Sequence, residues 1–173
     1  MHRIIFVLAI LSIAGCASMN DAMTPGFKVE RDDFDSSLRI VQPPVSSSGV
    51  SDAWHTLGFE WNEKTPEIIY LTVGAMGITN ISDAQFNVDG EIVDSLKEAS
   101  SLTNYGDWST RRFYLPITDF VKIAKGKLVK MKVVKIDTYS VSSFGEQAGT
   151  LRTVDQKFPP FLQALNENGA IGL

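Results

Sequence analysis

Phe86-Asn87-Val88-Asp89-Gly90-Glu91-Ile92-Val93 is the stretch that decides the fold class. Two β-favouring runs flank an Asp-Gly pair. A two-residue type I′ turn needs positive φ at both central residues, and Asp and Gly tolerate it. Such a loop pairs Val88 with Glu91 and Phe86 with Val93, so this segment is expected to be a tight antiparallel hairpin.

The same period-two pattern spreads in both directions. Upstream, Leu57, Phe59 and Trp61 alternate with Gly58 and Glu60, the signature of a half-buried strand. Residues 67–78 carry Ile69, Leu71, Val73 and Ala75 on one parity and Ile68, Tyr70 and Thr72 on the other. A strand apolar on both faces belongs in the interior of a structure, and Gly74 and Gly77 suggest a bend or bulge. Downstream, residues 97–107 are polar and turn-rich. Trp108, Thr110, Arg112 and Tyr114 then alternate with Ser109, Arg111, Phe113 and Leu115, of which Phe113 and Leu115 are expected inside. Val129, Met131 and Val133 alternate with Lys130 and Lys132, and a parity change at Val134 predicts a bulge near 133. Residues 140–157 read as loop with one weak strand.

Two helices interrupt this pattern. Ile117, Phe120, Val121 and Ala124 form an i, i+3, i+4, i+7 apolar face. Thr118 suits the start of that helix and Gly126 the position just past its end. Pro159-Pro160 is expected to open a short C-terminal helix carrying Phe161, Leu162 and Leu165. The fold expected is mainly β: a β-sandwich, immunoglobulin-like or similar, with one short helix near 118–125 and a short C-terminal helix. The competing α+β reading rests on the helix between the strands at 108–115 and 127–139, a connection about long enough for a parallel crossover.

The beginning of the chain sets the compartment. Arg3 precedes the apolar run Ile4-Ile5-Phe6-Val7-Leu8-Ala9-Ile10-Leu11, and small residues lead to Cys16. This is the layout of a secretory signal peptide. Ile13-Ala14-Gly15-Cys16 resembles the lipobox of bacterial lipoproteins, with Ile where Leu is commoner. The resemblance covers residues 1–16 and implies a lipid on Cys16 and cleavage before it. Cys16 is the only cysteine of the chain, so lipidation gives a role to a thiol that has no intramolecular partner. Ala17 follows, and the absence of Asp at that place implies the periplasmic face of the outer membrane. The organisation expected is a signal peptide over 1–15, a lipidated tether over 16–26, and one β-rich domain over 27–173 whose compact core lies at 52–166. Gln42-Pro43-Pro44 and Ser46-Ser47-Ser48-Gly49 interrupt the strand candidates at 27–29 and 38–41.

Composition narrows function by exclusion. Without Arg3 the chain has 15 basic against 20 acidic residues, a formal charge of −5. That is no footprint for nucleic acid. With one mature histidine, His55, and one lipidated cysteine, a Cys–His nucleophile or a structural zinc site lacks its residues. A Ser–His–Asp triad would depend on His55, and no Gly-x-Ser-x-Gly elbow is present. Glu30-Arg31-Asp32-Asp33-Phe34-Asp35 lacks the ligand spacing of a calcium loop. No catalytic residue, metal or cofactor is therefore assigned. Tyr105, Trp108, Arg111 and Arg112 remain as candidate partner-binding residues, because Trp, Tyr and Arg dominate binding hot spots. The function expected is a non-enzymatic binding or scaffolding module of the envelope. Its expected partners are the membrane, through the Cys16 lipid, and an envelope protein. The alternatives are an envelope hydrolase built on dispersed carboxylates and a carrier of small apolar ligands.

Overall fold

The computed structural model describes residues 24–172; the expected signal segment, Cys16 and most of the expected tether lie outside them. Within that span the protein is mainly β, a β-sandwich with two helices. One sheet has six antiparallel strands in the order β1-β2-β3-β4-β8-β7, and the other has four in the order β10-β9-β5-β6. The strands of the first are β1 (Lys28–Arg31), β2 (Leu38–Ser46), β3 (His55–Asn62), β4 (Ile68–Met76), β7 (Lys97–Glu98) and β8 (Trp108–Pro116). Those of the second are β5 (Ile81–Val88), β6 (Glu91–Ile92), β9 (Val129–Lys135) and β10 (Tyr139–Phe144). Helix α1 (Ile117–Lys125) leads from β8 to β9, and helix α2 (Thr153–Glu167) closes the chain.

The hairpin forms as its sequence dictates. Val88 pairs with Glu91, the Val93 amide donates to the Phe86 carbonyl at 2.9 Å, and both Asp89 (φ 54°) and Gly90 (φ 102°) are left-handed. The Asp89 carboxylate also accepts the amides of Lys127 and Leu128, which ties the turn to the start of β9. In the first sheet Leu57, Phe59, Trp61, Ile69, Leu71, Val73, Phe113 and Leu115 all point inward and are buried. From the second come Ile81, Phe86, Val129, Met131, Val133 and Phe144. Phe59, Phe120, Phe158 and Phe161 close the core with ring centroids 4.6–5.9 Å apart, a spacing at which edge and offset contacts add to the burial term.

Several local expectations are corrected. The α+β crossover does not occur, because β8 and β9, the strands joined by α1, lie in different sheets. The core is not confined to 52–166: Ile40 and Val45 are buried within it. Strand β2 runs through Pro43-Pro44, with a register shift between Gln42 and Val45. Proline fits a strand at such a bulge because no ladder amide is needed there. Gly58 on β3 makes room for it, since a Cβ at that position would lie 2.8 Å from the Pro44 nitrogen.

The bulge expected near 133 sits on the partner strand instead. Ile81 pairs with Lys135 and Asp83 with Val134, so Ser82 is the extra residue. Helix α1 starts at Ile117 behind Pro116, with no side-chain cap from Thr118. Its buried residues are Ile117, Phe120 and Ile123, and Gly126 is extended rather than left-handed. Helix α2 begins at Thr153, well before the prolines, which lie inside it. Two helical hydrogen bonds are forgone there. The buried face Val154, Phe158, Phe161, Leu162 and Leu165 holds the helix across them.

Candidate functional site

Where β3, β4 and β8 meet at one end of the six-stranded sheet, the outward face is apolar. His55 pairs with Ala75, and Met76 pairs with Trp108. The Met76 amide donates to the Trp54 carbonyl at 3.1 Å. Strand residues alternate between faces, so Trp54, Met76 and Trp108 stand outside while His55, Ala75 and Ser109 stand inside. Trp54 is 58% exposed, Met76 55% and Trp108 39%, and Val50 beside them is fully exposed. Trp54, Trp108 and Val50, with Ser46, Ser48 and Gly49, line a groove of about 380 Å³. Ile78 and Tyr105, further along the chain, are also exposed. Gly77, next to Ile78, bridges to Trp108, and the Tyr105 hydroxyl donates to Asn80 Oδ1 at 3.3 Å.

The inner layer under this rim is polar and satisfied. His55 is 1% exposed. Its Nδ1 lies 3.0 Å from Ser142 Oγ and its Nε2 2.9 Å from Ser140 Oγ. A neutral imidazole donates through one nitrogen and accepts through the other, and the two serines of β10 serve both. Burial, with nearby Lys135 adding to it and Asp52 opposing, pushes the imidazole down to about 4. His55 is thus a neutral clasp between the two sheets. The Ser109 hydroxyl donates to the Gly77 carbonyl at 2.8 Å and accepts the Thr79 amide at 3.0 Å.

The residues singled out from sequence do not form one surface. Trp108 lies in the rim; Tyr105 does not, because the Asn104–Thr110 bridge sets it opposite inward Ser109 and its hydroxyl reaches Asn80. Nor does Arg111: it faces inward, and its guanidinium donates to the carbonyls of Ser100 (2.9 Å), Ile81 (2.9 Å) and Ser82 (2.6 Å) and to Glu98 Oε2 (2.7 Å). Its place is set by the parity it shares with buried Phe113 and Leu115. Arg112 faces outward on the polar middle of the sheet, roughly 13 Å from Trp108 along β8. There its guanidinium caps the Tyr70 ring at 5.1 Å and donates to Glu60 Oε2 at 3.0 Å. Trp54, Met76 and Val50 were missed in the sequence, because their clustering depends on the register of three strands. Cys16 lies outside the described residues.

A second groove, of about 650 Å³, brings Asp89, Glu91, Asp94, Asp119, Lys122 and Lys125 together. Asp119 accepts from Lys122 Nζ and from Ser95 Oγ, both at 2.6 Å. These donors hold its carboxyl below the ordinary carboxylate range and raise Lys122 in turn. Among the described residues no three His, Cys, Asp or Glu side chains are gathered to hold a metal, and no helix is long and apolar enough to cross a membrane. The chain matches no known protein-family profile and no curated protein.

Proposed function

We propose that this protein is a lipid-anchored envelope module, held at the periplasmic face of the outer membrane through Cys16, that works by contact rather than catalysis. The rim of Val50, Trp54, Met76 and Trp108 is its contact surface for another envelope component. The observation that carries the reading is that rim, which stands exposed and contiguous across three paired strands. Exposed apolar clusters mark interaction surfaces. Indole, thioether and aliphatic groups offer no general acid or base and no hydroxyl, thiol or amine nucleophile.

The hydrolase alternative finds less support. A general acid needs a carboxyl pushed up towards neutrality, whereas the shifted carboxyl of the second groove, Asp119, is pushed down by its partners. His55, the one mature histidine, is enclosed by serine hydroxyls.

Photo-methionine incorporated in growing cells tests the contact reading. Met76 is exposed and Met131 is fully buried, so irradiation should join position 76 to an envelope lipid or protein and leave position 131 joined only within the chain. Absence of any intermolecular adduct at position 76 refutes the rim as a contact surface. Radiolabelled palmitate tests the anchor separately: wild type should be labelled and Cys16→Ser should not.

A further inference from the structure

We infer that the occupant of the rim is the bilayer interface itself, the layer between lipid headgroups and acyl chains. Resting on the anchoring reading above, this names the partner of the same surface. Three observations select a membrane over a protein.

The first is composition. Trp and Tyr concentrate where a membrane meets water, because each has an apolar ring and one polar handle. The rim holds Trp54 and Trp108 together with Val50 and Met76, all exposed, and the charged residues at its border are Asp107 and the Asp52–Arg152 pair beside Gly49.

The second is size. A stable protein interface takes about 20–30 residues a side, and these four fall well short of a dimer surface. Four apolar side chains that dip into an interfacial layer need no complementary partner.

The third is reach. Eight residue steps separate Cys16 from Thr24, which spans at most about 28 Å. The described chain begins where the Lys157 ammonium donates to the Thr24 carbonyl and the Gln42 amide to the Pro25 carbonyl. Gln42 pairs with Phe59 on β3, and Trp54 lies five residues further along, roughly 17 Å. The tether is therefore long enough for the rim to touch the bilayer in which the Cys16 lipid is embedded. It is also short enough to keep the domain against that bilayer. The formal charge of −5 after loss of Arg3 gives no pull towards anionic lipid, so apolar insertion sets the orientation.

The test uses the full lipidated protein, reconstituted in vesicles of phosphatidylethanolamine and phosphatidylglycerol with brominated acyl chains, which quench tryptophan on contact. The chain has Trp54, Trp61 and Trp108, and Trp61 is buried with its Nε1–H on the Pro66 carbonyl, so it serves as the internal reference. Wild-type emission should fall on going from plain to brominated vesicles. In Trp54→Phe/Trp108→Phe, which leaves Trp61 alone, the loss should vanish. Unquenched wild-type emission, or a photo-adduct of Met76 with a protein or a second copy in place of lipid, overturns the inference. Palmitate labelling separates the two levels: a labelled Cys16 with unquenched tryptophans overturns the rim inference alone, and an unlabelled Cys16 overturns the anchoring reading and this inference with it.

Discussion

Arg111→Ala and Arg112→Ala remove neighbouring arginines and should differ sharply in cost. Arg111 has a side chain 8% exposed, and its guanidinium satisfies three backbone carbonyls and one carboxylate. Those carbonyls belong to Ser100 in the 97–107 loop and to Ile81 and Ser82 at the bulge of β5, so one side chain fastens both segments to β8. Each buried acceptor left without a donor costs about 1–3 kcal/mol. The losses overlap, and breaking a buried charged network costs about 3–5 kcal/mol in total. Glu98 contributes little of this, because its side chain is 54% exposed and water replaces its partner. Arg112 makes a half-exposed pair with Glu60, a class worth roughly 0–1 kcal/mol. For a urea slope of about 2 kcal/mol per molar, Arg111→Ala should lower the unfolding midpoint by roughly 2 M and Arg112→Ala by less than about 0.5 M. Arg111→Lys should recover only part of the loss, because an ammonium cannot reach all four acceptors in the planar fork of a guanidinium. Glu98→Gln should stay near wild type. Equal midpoints for the two alanine variants would refute the role assigned to Arg111.

Three further outcomes are expected. His55 has a folded pKa depressed from 6.5 to about 4, so its contribution is complete above pH 6.5 and is lost as pH falls towards 4, where the unfolded chain binds the extra proton. At about 1.4 kcal/mol per tenfold change in proton affinity, the loss is on the order of 3 kcal/mol at most. His55→Gln should flatten urea midpoints measured across that window, and parallel declines in both proteins would sink the assignment. Asp35, held near 2 by its pair with Lys64, acts in a separate window: its contribution is present above 3.8 and is lost as pH falls through about 2. Gly90→Val should cost about 1–3 kcal/mol through backbone strain alone, because nothing crowds a Cβ there. Gly145→Ala should cost more, since it combines φ +97° with a Cβ only 2.6 Å from the Lys127 carbonyl oxygen. Thermal melts that rank the two glycine variants the other way would contradict this packing.

Much of the fold was legible because its signals are local. The Asp89-Gly90 turn and the parities of β3, β4, β8 and β9 need only a few consecutive residues. What stayed hidden depends on distant groups. Strand β2 passes through Pro43-Pro44 because Gly58 lies opposite, and α2 passes through Pro159-Pro160 because Phe158 and Phe161 pack on Phe59 of β3 and Phe120 of α1. Arg111 is a different case. The parity that put Phe113 and Leu115 inside also put Arg111 inside, yet its charge suggested the surface. The acceptors that make an inward arginine tolerable come from segments ten to thirty residues away, and no local pattern announces them. Trp108 was singled out by residue type, but its companions Trp54 and Met76 become visible only through cross-strand register.

The alternation that builds the core also stiffens the rim. Trp54, Met76 and Trp108 each precede or follow an inward residue that is fixed: His55 by Ser140 and Ser142, Ala75 by burial, Ser109 by Gly77 and Thr79. The backbone that carries these side chains is already placed before anything touches them. Ordering flexible groups is one of the main costs of association, and the backbone share of it has been met in folding. The His55 clasp adds a second constraint, because it joins the sheet that carries the rim to the sheet behind it. A substitution that loosens the clasp should therefore weaken contact at the rim even though His55 itself is buried and cannot touch a partner. In the vesicle experiment, folded His55→Gln should be quenched less than wild type, and equal or deeper quenching would show that a rigid rim is not what the surface requires.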